Sequence, residues 1–390
     1  MENLEKTEQL ELYIHIPFCE RKCAYCDFLS APATDFVQEQ YVRSLLCEIE
    51  EKAPLYEAYE VPTIFIGGGT PSILRAGFIF DIMEAVQKSF HVRKDAEITM
   101  ECNPKTVSVA KLMFYKKAGI NRISMGLQST ENTELRELGR IHTYEDFLES
   151  YDLIRKAGFS NVNIDLMSAL PYQTLKSYEK TLKRVLALKP EHISAYSLII
   201  EEGTPFYERY EADEGLREQG KMPKVLPGEE EERLMYEMTR ELLQEHGYFR
   251  YEISNYAKKG YECKHNIGYW TRENYLGLGL GSASLVTNER FSNTRELKQY
   301  LSGDFSAGDR EVLTKNAQME EFMFLGLRLT NGVSQAEFLK QFGFSIDNIY
   351  GSVVAQLQKE GLLKKEKENI FLSEQGLDVS NYVMAQFLLG

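Results

Sequence analysis

The segment FCERKCAYCDF (18–28) brings Cys19, Cys23 and Cys26 into a C-x3-C-x2-C spacing and puts Phe28 where a fourth cysteine would fall. Thiolates this close together in sequence suit a soft metal centre. A structural zinc site closes with four ligands, usually as two separated pairs. The remaining thiols, Cys47, Cys102 and Cys263, have no partner at C-x2-C or zinc-type histidine spacing. A [4Fe-4S] cluster held by three cysteines instead leaves one iron with an open position for a substrate or cofactor. The spacing favours the cluster over zinc.

The elements that must position these thiols follow from the apolar pattern. Short runs rich in Ile, Val, Tyr and Phe, at 12–16, 61–66, 96–101, 120–125, 161–167 and 191–199, have the length of strands. Amphipathic stretches near 35–53, 72–89, 106–118, 143–157, 175–188 and 229–246 lie between or after them. "KKAGI" and "RKAGF" end two of these helices on Gly119 and Gly158. Six βα units with right-handed crossovers make a parallel sheet, doubly wound or curved into a barrel. In such folds ligands gather at the C-terminal ends of the strands. Cys19, Gly67 to Gly69, Glu101, Gln128 and Asp165 all fall there, so one shared site is expected. Asp165 is the most telling, because a carboxylate in the apolar strand NIDLM needs partners.

Beyond residue 200 the pattern loosens. Residues 201–232 have the Gly, Pro and charge content of a long excursion or linker. "YLGLGLGSAS" (275–284) has no phosphate-loop lysine and reads as a close-packed turn. From about Gln318 the order is helix, helix (334–342), helix (346–360) and a terminal hairpin, which resembles a winged helix. The expected parts are therefore 1–245, a connecting region 246–317, and 318–390.

Composition narrows the class. The chain has 390 residues, enough for two domains, with 43% hydrophobic and 27% charged residues, as in ordinary globular proteins. No apolar run approaches the ~18 residues of a membrane span. The polar start MENLEKTEQLEL is neither a secretory signal nor an Arg-rich transit peptide, so the cytoplasm is the expected compartment. A net charge of −14 argues against nucleic acid as a partner. Six cysteines, three of them clustered, do not make a secreted disulfide framework.

The cysteine loop after a first strand, followed by GGGTP after a second, resembles the radical S-adenosylmethionine (radical SAM) superfamily. That resemblance implies a (βα)6 partial TIM-type barrel and a cluster whose open iron chelates S-adenosylmethionine. The ordered set YIHIPFCERKCAYCDF, FIGGGTPS, ITMECNP, ISMGLQS, NIDLMSALPYQT and HNIGYW is similar to a narrower family. It comprises the oxygen-independent coproporphyrinogen III oxidases and their haem-chaperone relatives of the HemW type. By that resemblance Cys19, Cys23 and Cys26 ligate the cluster, flanked by Tyr13 and Tyr25. Gly68, Gly69, Thr70, Glu101, Gln128, Arg140 and Asp165 then meet S-adenosylmethionine.

Two branches diverge. The oxidase pattern resembles C-x3-C-x2-C-x-C with an N-terminal extension, whereas here Phe28 takes the last cysteine position and a short stretch precedes Tyr13. HNIGYW (265–270) resembles the haem-associated HNxxYW segment of the chaperones. His265 offers an imidazole for axial iron ligation, Tyr269 and Trp270 offer flat apolar surface, and Cys263 is a rival ligand. The expectation is a haem-binding protein that delivers haem to acceptor haemoproteins, membrane-associated ones among them. Coproporphyrinogen decarboxylation is the alternative, and dimerisation is left open.

Overall fold

The computed structural model describes residues 8–306 and 308–389, so residues 1–7 of the polar N-terminal stretch lie outside the described residues. Six parallel strands form the centre of a 12-stranded sheet: β1 (Glu11–Ile16), β2 (Glu60–Gly68), β3 (His91–Cys102), β4 (Arg122–Gln128), β5 (Val162–Ser168) and β6 (His192–Ser197). Between them run helices α1 (Asp35–Lys52), α2 (Ala76–Ser89), α3 (Val109–Lys117), α4 (Asn132–Glu137), α5 (Tyr144–Lys156) and α6 (Leu175–Leu188). Each neighbouring pair from β1 to β6 is hydrogen-bonded in parallel. This is the α/β series that the sequence pattern predicts.

The strands alternate with period two. Leu12, Ile14, Ile64, Ile66, Ile123, Met125, Ile164 and Leu166 are buried on the outer face, against Leu45 and Ile49 of α1, Ile82 and Val86 of α2, and Leu182 of α6. The inner face is polar. Glu101 pairs with Ser124, Ser124 with Asn163, and Asp165 with Ser194, so these side chains share one side of the sheet. A single cavity touches the loop after β1 and the ends of β2 through β6. Six strands laid flat would span ~24 Å, so one cavity reaching them all requires a curved sheet.

Past β6 the chain differs from the sequence reading. The stretch read as a linker carries α7 (Pro205–Glu218), whose N-terminal turn is capped by Thr204, ahead of the expected helix, α8 (Glu229–Glu245). Leu198, Phe206, Tyr210 and Leu226 form a small core under α7, next to Tyr25 of the cysteine loop.

The following strands extend both edges of the sheet. β8 (Asn255–Ala257) adds antiparallel to β6, and β7 (Phe249–Arg250) adds antiparallel to β8. After α9 (Lys264–Thr271), β9 (Tyr275–Leu278) pairs parallel with β1 and leads into β10 (Ala283–Val286) and β11 (Glu289–Ser292). The glycine-rich stretch 275–284 is thus a strand and the start of a hairpin, where a simple turn was expected. Its glycines do serve close packing. Gly279 has φ +98, and a Cβ there would collide with the His15 carbonyl and the Tyr41 hydroxyl. Glu48 of α1, fully buried, fastens this region by accepting from Gly279 N at 2.8 Å and the Tyr300 hydroxyl at 2.6 Å.

After α10 (Leu297–Leu301) and β12 (Gly308–Val312), the C-terminal part has its own hydrophobic core, from Met319 to Phe387. It contains α11 (Lys315–Gly326), α12 (Gln335–Phe342), α13 (Ile346–Lys359) and a small sheet of β13 (Val333–Ser334), β14 (Leu363–Glu366) and β15 (Asn369–Leu372). Among the described residues no helix is long and apolar enough to cross a membrane.

The α9 segment closes the barrel at the end opposite the cysteines. Cys263 Sγ lies 3.5 Å from Glu97 Oε1, and the His265 N–H donates to the same oxygen at 3.3 Å. The His265 ring stacks on Phe65 with centroids 5.3 Å apart. Its Nδ1 is 2.8 Å from Thr63 Oγ1 and its Nε2 is 3.0 Å from the Tyr269 hydroxyl. Burial, helped by Arg122, lowers the imidazole pKa to about 3, so the ring is neutral. Gly268 rests on the Glu11 carboxyl, which burial pushes up to about 9. His265→Ala opens a cavity and removes the ring's contacts with Thr63 and Tyr269, and should lower unfolding stability by roughly 2–4 kcal/mol in a denaturant titration.

Candidate cofactor site at the strand ends

Cys19, Cys23 and Cys26 are half-buried on the loop between β1 and α1. The loop is tied down along its length. Cys19 N donates to Ala31 O at 3.2 Å, Ala24 N to Leu138 O at 3.1 Å, and the His15 ring lies 3.0 Å from Leu29 O. Gly69 N–H and Thr70 N–H donate to Ile16 O at 2.8 Å and Phe18 O at 2.7 Å. A Cβ on Gly69 would fall 2.6 Å from the Phe18 carbonyl oxygen, and one on Gly68 would strike the His15 ring. These glycines therefore let the cysteine loop lie directly on the end of β2, and their N–H groups are engaged within the protein.

A polar chain connects two of the thiols. Thr70 Oγ1 lies 3.6 Å from Cys19 Sγ and accepts from Asn103 Nδ2 at 2.8 Å. Arg140 donates to Asn103 Oδ1 at 2.9 Å, to Gly126 O at 2.5 Å and, through Nη1, to Cys23 Sγ at 3.5 Å. Among the described residues its buried Nε has no partner. The guanidinium thus ties the Cys23 thiol to the ends of β3 and β4.

Two carboxylates stand deeper in the cavity. Glu101 accepts from Gly68 N at 3.0 Å. Burial first, then the Asp165 charge, raises its pKa to about 7, against the pull of the Gly68 N–H and Arg122. Asp165, held by Asn163 Nδ2 at 2.6 Å and Ser124 Oγ at 3.4 Å, is likewise raised by burial. Gln128 sits at an irregularity in the β4–β5 register with φ +72, and its side chain accepts from the Tyr196 hydroxyl at 3.3 Å.

The cavity, about 320 Å3, thus joins Cys19, Cys23, Cys26, Tyr25, Gly68, Gly69, Thr70, Glu101, Gln128, Arg140 and Asp165. Tyr13 lies outside its lining, turned toward His15 with 3.0 Å between its hydroxyl and Nδ1. His265, Tyr269 and Cys263 are not brought to it. Trp270 lies under the Arg328 guanidinium, 4.3 Å from its ring centroid. Asn103 and Tyr196 were missed in the sequence, although each follows or ends a strand.

The residues present fit the implied groups. Three thiols share one wall with a supporting arginine. A cubane spreads its ligands over separate irons. The two carboxylates beside it suit a cationic guest.

Residues 13–185 match the radical SAM superfamily, and residues 313–379 match the HemN C-terminal domain. The heme chaperone HemW of Bacillus subtilis is 38% identical over 381 residues, which covers 96% of this chain and 98% of that protein. The heme chaperone HemW of Escherichia coli is 37% identical, with 88% and 89% covered. Among solved structures, the radical SAM coproporphyrinogen III oxidase HemN of Escherichia coli has a TM-score of 0.83 at 24% identity, covering 99% of this chain and 92% of that one. The last likeness concerns the fold. The near-full-length relatives decide the family: the chain belongs to the radical SAM superfamily and, within it, to the HemW family.

Proposed function

We propose that this chain binds haem and delivers it to acceptor haemoproteins, membrane-associated ones among them, and works in the cytoplasm. The observation that carries this reading is 38% identity across 96% of the chain with a protein named as a haem chaperone. Phe28 in place of a fourth cysteine supports it. The division into 1–245, 246–317 and 318–390, the last resembling a winged helix, belongs to the same reading. So does the absence of a nucleic-acid partner.

Cys19, Cys23 and Cys26 hold the [4Fe-4S] cluster, with Arg140 beside Cys23 and Tyr25 over the loop. Glu101, Gln128 and Asp165 bind S-adenosylmethionine from the strand ends, with Gly68, Gly69 and Thr70 supporting the loop above. When bound, the cluster and S-adenosylmethionine supply one-electron chemistry at a sulfonium.

The experiment that tests the function is a haem titration of the protein reconstituted under anaerobic conditions. About one haem per chain is expected, with no conversion of coproporphyrinogen when reductant and S-adenosylmethionine are present. Robust decarboxylation without haem binding would return the chain to the oxidase branch. The same preparation should contain about four iron and four sulfide per chain. Cys19→Ser, Cys23→Ser or Cys26→Ser should lose them, while exposed Cys47→Ser should keep them.

Glu101 makes the binding of S-adenosylmethionine depend on pH. With its pKa raised to about 7, the carboxyl keeps its proton below that pH. A guest carrying sulfonium and ammonium charges favours the carboxylate, so binding releases the proton. Affinity should therefore rise as pH goes from about 6 to about 8 and then level off. Equilibrium dialysis should find this slope in the parent and a flat profile in Glu101→Gln.

A further inference from the structure

The rim of the cysteine cavity carries features that the cofactor site does not use. Phe28 is 60% exposed and Ile199 is 68% exposed, and both stand at its mouth. Two bulky apolar side chains held in water on one rim form a surface suited to a flat apolar partner. Arg21 and Lys22 line the same rim and are exposed. Their polar contacts go to backbone carbonyls, Arg21 to Gly139 O at 2.7 Å and Lys22 to Phe28 O at 2.9 Å. Among the described residues neither pairs with a carboxylate, in a chain whose net charge is −14. Asp27 and Glu201 share the rim, so an anionic group has one favourable place there, the adjacent cations.

The cavity behind the rim is small, about 320 Å3, and its depth is lined by Glu101, Asp165 and Gln128. That polar lining suits a compact cofactor, and a broad apolar ring system meets the rim instead. The other candidate seat, His265, is 1% exposed with both ring nitrogens engaged. Reaching iron from there requires α9 to leave the barrel.

We propose that this rim docks the haem macrocycle, its ring face against Phe28 and Ile199 and its propionates on Arg21 and Lys22. The proposal rests on the haem-carrying function above and adds where haem sits. It gives Phe28 a purpose, as an aromatic face two residues beyond the last cluster cysteine. It also makes haem a cover over the cavity mouth, so that haem and the exchange of S-adenosylmethionine are coupled.

The test uses the reconstituted full-length protein. Haem is titrated into the parent, Phe28→Ser and the double variant Arg21→Ser/Lys22→Ser, with iron content measured on each. The release of radiolabelled S-adenosylmethionine is followed with and without haem. Each rim variant should bind haem roughly tenfold more weakly at unchanged iron content. Haem should slow the release of S-adenosylmethionine from the parent several-fold. The double variant keeps the test decisive if Phe28→Ser disturbs the cluster. Parent-like haem affinity in the double variant, or a release rate that haem does not change, overturns the rim site and leaves haem carriage standing. A parent that binds no haem overturns both.

Discussion

The structure depends on a polar inner face. Six parallel strands bury aliphatic side chains outward, against their helices, and turn charged and amide side chains inward. Polar groups withdrawn from water must find partners, and each end of the barrel answers differently. At one end the chain supplies several, although among the described residues Glu11 Oε2 and Arg122 Nε stay without a hydrogen-bond partner. His192 reaches Asn163 at 2.6 Å and the Tyr251 hydroxyl at 2.8 Å, while Glu97 receives the Cys263 thiol and the His265 amide. At the other end two carboxyls stand close enough for Asp165 to strengthen the hold of Glu101 on its proton. One lining rule thus yields a sealed plug below and a cation-seeking site above.

The cysteine loop sits above that site as a rigid roof. It is held by β2 through Gly69 and Thr70, by the end of α4 through Leu138 and Gly139, and by His15 beneath Leu29. Such bracing keeps three thiols at one wall before any metal arrives, which lowers the ordering cost of ligation. Asn103 extends the bracing sideways by bridging Thr70 and Arg140.

Much of this was legible in the sequence, for physical reasons. The run 61–66 became Glu60–Gly68, and 161–167 became Val162–Ser168, because strands buried on their outer face carry a strong apolar signal. The strand-end rule then brought Glu101, Gln128 and Asp165 together. What escaped lacked such a signal. The helix Pro205–Glu218 is rich in charge and carries Gly215, and its support comes from packing over Tyr25. The strand Tyr275–Leu278 is short and carries Gly277, where a Cβ would strike the Ala283 carbonyl. The surroundings of His265 are set by residues from β2, β3 and α9, which no local pattern brings together.

The pairing of β1 with β9 has a consequence for synthesis. The first strand of the chain lies inside the sheet, yet one of its edges stays unpaired until residues 275–278 have been made. The Tyr41 hydroxyl, which holds the His15 carbonyl just before the cysteine loop, also waits for Leu280. A nascent chain therefore carries an open strand edge, and a Tyr41 hydroxyl lacking one partner, through most of its translation. Long-range closure of this kind is slow and exposes the edge to other chains. The other hydrogen bonds that brace the cysteine loop come from residues up to Phe206, so that loop is held by its own side of the sheet while the neighbouring edge is still open.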